Sequence, residues 1–167
     1  MHRPFSRLTL GLVAASVASF TLLSRPAAAQ DRPAYGAPIT LDAARKAAAA
    51  AEGEARKNGW RMAIAIVDTH GTLVHYVMLD DTQTGSANIA LEKAKTAAMF
   101  RRATKEFEEN VASGRLAILG LPGVTPVEGG LPILVGGRIV GAIGVSGMSS
   151  AQDGVVAKVG VDAAAKP

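Results

Sequence analysis

The chain has 167 residues, 49% of them hydrophobic and 19% charged, with a formal net charge of +4 and no cysteine. Without cysteine it has neither a disulfide framework nor a thiolate nucleophile, so the fold must hold by core packing and association. Three of the 18 Lys+Arg and none of the 14 Asp+Glu lie in the first 29 residues, leaving 15 against 14 beyond them, a formal +1 without the electrostatic footprint of a nucleic-acid binder.

Residues 1–29 read as an export signal. Arg3 and Arg7 form a positive start, Leu8–Leu23 is largely apolar, and Ala27-Ala28-Ala29 supplies a small-residue cleavage site before Gln30. This places the protein in the periplasm or outside the cell. The apolar run is short for a membrane span, and no later segment is a better candidate, so no span is expected after cleavage. Residues 30–38, with their Pro and Gly, read as a mobile lead-in, and 39–167 as one domain.

Thr40 can cap a helix, with Asp42 in its first turn, and the alanine-rich run Leu41–Lys57 is a strong helix former that Asn58-Gly59 stops. Arg61–Asp68 alternates as a strand, with Met62, Ile64 and Ile66 on one face. Thr69-His70-Gly71 turns the chain, and Thr72–Leu79 returns antiparallel. After a polar connection over Asp80–Ser86, the spacing of Ala87, Ala90, Leu91, Ala94, Ala97 and Ala98 predicts a helix over 87–102. Thr104–Ser113 reads as a further helix, with Phe107 and Val111 inward. Gly114–Gly123 is irregular, and Pro126–Glu128 is a candidate short strand.

The stretch 129–153, GGLPILVGGRIVGAIGVSGMSSAQD, carries the most information. Gly136-Gly137 between two apolar runs suits a tight hairpin turn. Ser149 and Gln152 fit a capping box, so the hairpin feeds into a final helix over about 150–165. That helix start presents unpaired N–H groups, a niche for an anion. The order is α-β-β-α-α-(β)-β-β-α, an α+β pattern with an antiparallel sheet.

The usual catalytic sets are missing. No metalloprotease, P-loop or dinucleotide fingerprint occurs, and Gly136-Gly137 joins two strands instead of entering a helix. Only His70 and His75 follow the signal segment, too few with carboxylates alone to suggest a zinc site.

Four short segments, AIVDTHGTL (65–73), KAKTAAMF (93–100), GGLPI (129–133) and VGAIGVSGMSSAQD (140–153), resemble in order and spacing the GlcG/HbpS family, which includes haem-binding proteins and the C-terminal domain of PduO-type proteins. The resemblance implies a five-stranded antiparallel sheet flanked by helices, in a profilin-like layout, often in symmetric homo-oligomers. It also implies haem or a small anionic molecule as ligand. Haem needs an apolar slot, an axial ligand and cationic partners for its propionates. His75 is the best axial candidate by position, mid-strand on the face of Val77 and Leu79; a hydrogen-bonded surface histidine is the alternative. Tyr76 and Met78 point to the other face with Val74, and Met78 is a soft ligand or a core residue. His70, in a turn, suits a solvated histidine. Met148 can line a pocket mouth or cover the sheet edge.

By the same resemblance Lys93 takes the place of the lysine in a KAxTA motif. There it either neutralises a carboxylate ligand or pairs with an acid on a solvated helix. Asp80 matches the aspartate of an R-x-D-G-A segment, but Met78 replaces the arginine and Asp81-Thr82 replaces G-A, which weakens an anion role there. Gly129, Gly130, Ser146, Gly147 and Asp153 match motif positions as well. Packing explains the glycines equally well, and capping explains Gln152 and Asp153. Three functions follow: an exported haem-binding protein, a small-organic-acid-binding accessory protein or enzyme, and a ligand-free oligomeric module.

Overall fold

The computed structural model describes residues 32–165, so the export signal lies outside the described residues. The elements are α1 (Leu41–Lys57), β1 (Ala63–Asp68), β2 (Leu73–Met78), α2 (Ser86–Phe100), α3 (Thr104–Ala112), a 3-10 turn (Leu116–Gly120), β3 (Gly130–Val135), β4 (Arg138–Ser146) and α4 (Ser150–Ala164). The sheet is antiparallel in the order β2-β1-β4-β3.

Strand alternation sorts the core into two layers. Ile64, Ile66, Ile143 and Val145 bury against the alanine stripe of α1 and against Val156 and Ala157 of α4. Ala63, Ala65, Val67 and Ala142 on the other face meet Ala90, Ala94, Ala97 and Ala98 of α2. Small residues on both sides let α2 lie close to the sheet. A Cβ on Gly144 would stand 2.0 Å from the carbonyl oxygen of Ala90.

The helix ends follow local chemistry. Thr40 accepts from the Ala43 N–H at the start of α1, and Ser149 and Gln152 complete a capping box on α4. Gly136 and Gly137 turn the β3–β4 hairpin at φ +57° and +74°. Gly53, inside α1, has nothing within 4 Å of an added Cβ. Gly53→Ala is therefore expected to raise stability by about 0.5–1 kcal/mol in urea denaturation, because alanine lowers the entropy lost on forming the helix.

Four expectations are corrected. The sheet among the described residues has four strands, not five. Pro126 lacks an N–H, and the neighbouring N–H groups are taken elsewhere: Thr125 donates to the Thr96 hydroxyl and Glu128 to the Glu108 carboxylate. The lead-in is not free of the domain. Gly36 and Ile39 donate to Ile139 and Val140 of β4, Ile139 donates back to Ala34, and the Tyr35 hydroxyl reaches the carbonyls of Ala98 and Met99. Helix α2 stops at Phe100, with Arg101 in a left-handed conformation at φ 55°. Finally, a register shift between Ile66 and Val67 sends Val74 to the α1 side, while Leu73 joins Tyr76 and Met78 on the α2 side.

Candidate functional site

Lys93 arises on the flank of the α2 alanine stripe. It is carried under the sheet end because Gly129 and Gly130 leave room for it. A Cβ on Gly129 would stand 2.9 Å from the Lys93 Nζ, and one on Gly130 would stand 2.4 Å from the Lys93 carbonyl oxygen. The Lys93 ammonium donates to the Asp153 Oδ2 at 2.8 Å and to the Val145 carbonyl at 3.1 Å. Both side chains are almost fully buried, 1% and 3% exposed. The other carboxylate oxygen of Asp153 accepts from the Met148 N–H at 3.2 Å. Burial pushes the Asp153 carboxyl above its ordinary range, while Lys93 and the N–H groups of Met148 and Gly147 pull it back.

Hydroxyls close the rest of this junction. The Thr104 oxygen accepts from the Gly130 N–H at 2.9 Å, and Ser146 and Ser86 share a buried contact at 3.3 Å. Gly147 is pressed against the residues that lead into β1, where a Cβ would fall 2.1 Å from the Arg61 carbonyl oxygen. Lys93, Gly129, Gly130, Ser146, Gly147, Met148 and Asp153 therefore do converge. They form a closed polar junction tying α2, β3, β4 and α4. A place that cannot accept one methyl group cannot accept a haem, so this junction does not fit the group. Lys93 is paired, as one of its two readings has it, but in the interior and not on a solvated face.

Met78, Asp80 and His75 stand apart from the junction. Met78 pairs across β1 with Ala63, which pairs with Ser146, so it shares the junction's end of the sheet from the edge strand. Met78 and Met148 are exposed. Asp80 is also exposed and lines a shallow notch with Arg56, Trp60 and Arg61. His75 pairs with Ile66, on the α1 side with Val77, and is half-buried.

Two clefts flank the domain. One of about 440 Å3 is apolar and runs between the start of α1 and the β3–β4 hairpin, against Ile39, Ile133, Val140 and Ala164. The other, of about 560 Å3, is lined by Tyr35, Gly36, Pro38, Thr69, His70 and Met99. Sequence reasoning left Tyr35, Met99, Thr104 and Ser86 out of the site. Tyr35 and Met99 are 64 residues apart, and only the docking of the lead-in brings them together. Among the described residues no group of three or more His, Asp or Glu is placed to hold a metal ion.

The family model described as "Haem degrading protein HbpS-like" matches residues 39–162. The protein GlcG of Escherichia coli is 47% identical over 98 residues, 59% of this chain and 73% of GlcG. Among solved structures, HbpS of Streptomyces reticuli, crystallised as a double mutant, is 29% identical with a TM-score of 0.70 over 92% of this chain and 97% of that one. A PduOC:haem complex is 27% identical with a TM-score of 0.68, covering 75% of this chain and 94% of its own.

Proposed function

The chain belongs to the HbpS-like family, and from that premise we propose that it is an exported haem-binding protein. The observation that carries this reading is the likeness to the PduOC:haem complex across three quarters of the chain, on the same α+β fold. Export rests on the Arg3–Ala29 segment. Among the described residues no helix is long and apolar enough to cross a membrane. As in the family resemblance, a homo-oligomer is the form in which the protein works, and no nucleic acid is involved.

The junction around Lys93 and Asp153 supports this function indirectly. It fixes the β4–α4 turn that exposes Met148, and it leaves ligand contact to the outer surfaces of the domain. Those surfaces offer the histidine and methionine side chains that haem iron accepts.

Thermal unfolding with increasing hemin tests the reading. A ligand that binds only the folded state raises the melting temperature with the logarithm of its excess. Hemin is expected to raise it progressively, whereas small hydroxy acids leave it unmoved. The opposite pattern would replace haem with a small-acid ligand, and no shift from either would favour a ligand-free module.

A further inference from the structure

We propose that haem is held in the cleft between Tyr35 and His70, with the His70 imidazole as the iron ligand; this assignment rests on the haem-binding reading. Three chain segments make the cleft: the lead-in, the β1–β2 turn and the C-terminal end of α2. Pro38 and Met99 give it apolar walls, and Met99 is 52% exposed. The Met99 sulfur lies 3.8 Å from where a Cβ on Gly71 would stand, so it borders the turn that carries His70.

The turn is built to present that imidazole. The Asp68 Oδ1 accepts from the N–H groups of His70 at 2.8 Å and Thr72 at 2.9 Å, and Gly71 takes φ +82°. On the ring, Nδ1 lies 3.3 Å from the Thr69 hydroxyl. In the tautomer whose Nδ1–H donates to that hydroxyl, the Nε2 lone pair is free, as a metal-binding imidazole requires. His75 has no such freedom, being half-buried in a strand beside Val74 and Val77, which pack on the core.

The rim supplies charge of the right sign. Arg101 stands 5.7 Å from the centre of the Tyr35 ring, and the Arg138 Nε donates to the Tyr35 carbonyl at 3.2 Å. Neither arginine is ion-paired to an acid among the described residues. Two arginines in contact with the Tyr35 wall of the cleft complement the two propionates of haem. The Tyr35 hydroxyl is spent on the α2 carbonyls, which makes it a wall and a brace, not a ligand.

The experiment is a hemin titration of the wild type, His70→Ala, His75→Ala and the double variant Arg101→Ala/Arg138→Ala, followed by absorbance. Circular dichroism verifies that each is folded. His70→Ala is expected to lose the wild-type Soret band, and added imidazole to restore it. His75→Ala should match the wild type, and the arginine variant should bind more weakly with the band position kept. A band that survives in His70→Ala and disappears in His75→Ala would overturn the assignment and leave haem binding standing. If the wild type itself shows no saturable band, the haem reading falls and takes the assignment with it.

Discussion

Lys93→Met is expected to remove about 3–5 kcal/mol of folding stability, because it leaves the buried Asp153 carboxylate without its charge partner. Methionine keeps the length and apolar stem of the lysine, so the loss reports charge and not a cavity. Replacing both partners, as Lys93→Met/Asp153→Leu, should recover most of the loss, since a well-packed apolar pair no longer strands a charge. The deficit also has a pH signature. Burial already raises the Asp153 carboxyl, so its contribution favours the folded state most at low pH and fades as pH rises through the raised value. Removing Lys93 takes away a group that lowers it, so the carboxyl rises further. The gap between wild type and Lys93→Met should therefore narrow as pH falls from neutral toward 5. Urea denaturation at several pH values measures it, and a gap that is small or independent of pH would show that the pair contributes little.

Gly144→Ala should be nearly as damaging, at about 3 kcal/mol or more, the upper part of the overpacking range. The new methyl would meet backbone on two sides, 2.0 Å from the Ala90 oxygen and 2.5 Å from the Ala94 nitrogen. Backbone in a helix cannot step aside alone, so α2 must lift from the sheet along the Ala63, Ala65 and Ala142 face. Gly154→Ala is the matched control. There the nearest neighbour is the Glu128 carboxylate at 2.5 Å, the end of a flexible side chain that can swing away. Chemical denaturation of the two variants side by side is expected to show a large loss for Gly144→Ala and a small change for Gly154→Ala. Equal losses would mean that the α2–sheet contact is not limited by backbone approach.

Much of the fold is legible where the signal is local. Helix α1 runs from Leu41 to Lys57 as its alanine run and Thr40 cap predict, and the capping box at Ser149 and Gln152 starts α4. The Gly136-Gly137 turn and the alternation of β1 follow the same logic. Arg101 is different: an arginine in a left-handed conformation carries no composition signal, so the end of α2 was not readable. Pro126–Glu128 is not a strand because its N–H groups are taken up locally and by a side chain: Val127 donates to the Thr125 carbonyl and Glu128 to the Glu108 carboxylate, which topology brings near.

The site divides in the same way. Motif order singled out Lys93, Gly129, Gly130, Ser146, Gly147 and Asp153, and the structure gathers all of them. Their role was not legible, because whether Lys93 faces solvent depends on Gly129 and Gly130 approaching from another part of the chain. Helical spacing puts Ala87, Ala90, Leu91, Ala94, Ala97 and Ala98 on the buried stripe of α2. Tertiary packing extends it to Lys93 and Thr96, both buried, and leaves Leu91 half-exposed. His70 could be placed in a turn from Thr69-His70-Gly71 alone. Its cleft could not, since two of the walls, Tyr35 and Met99, belong to segments joined only by tertiary hydrogen bonds.

The most direct test of haem binding is equilibrium titration of the purified protein with hemin, read as Soret absorbance at constant protein concentration. Saturation at one haem per chain, with a band distinct from free hemin, is the expected result. Absorbance that climbs without saturating, and without a shift from the free hemin spectrum, would contradict it.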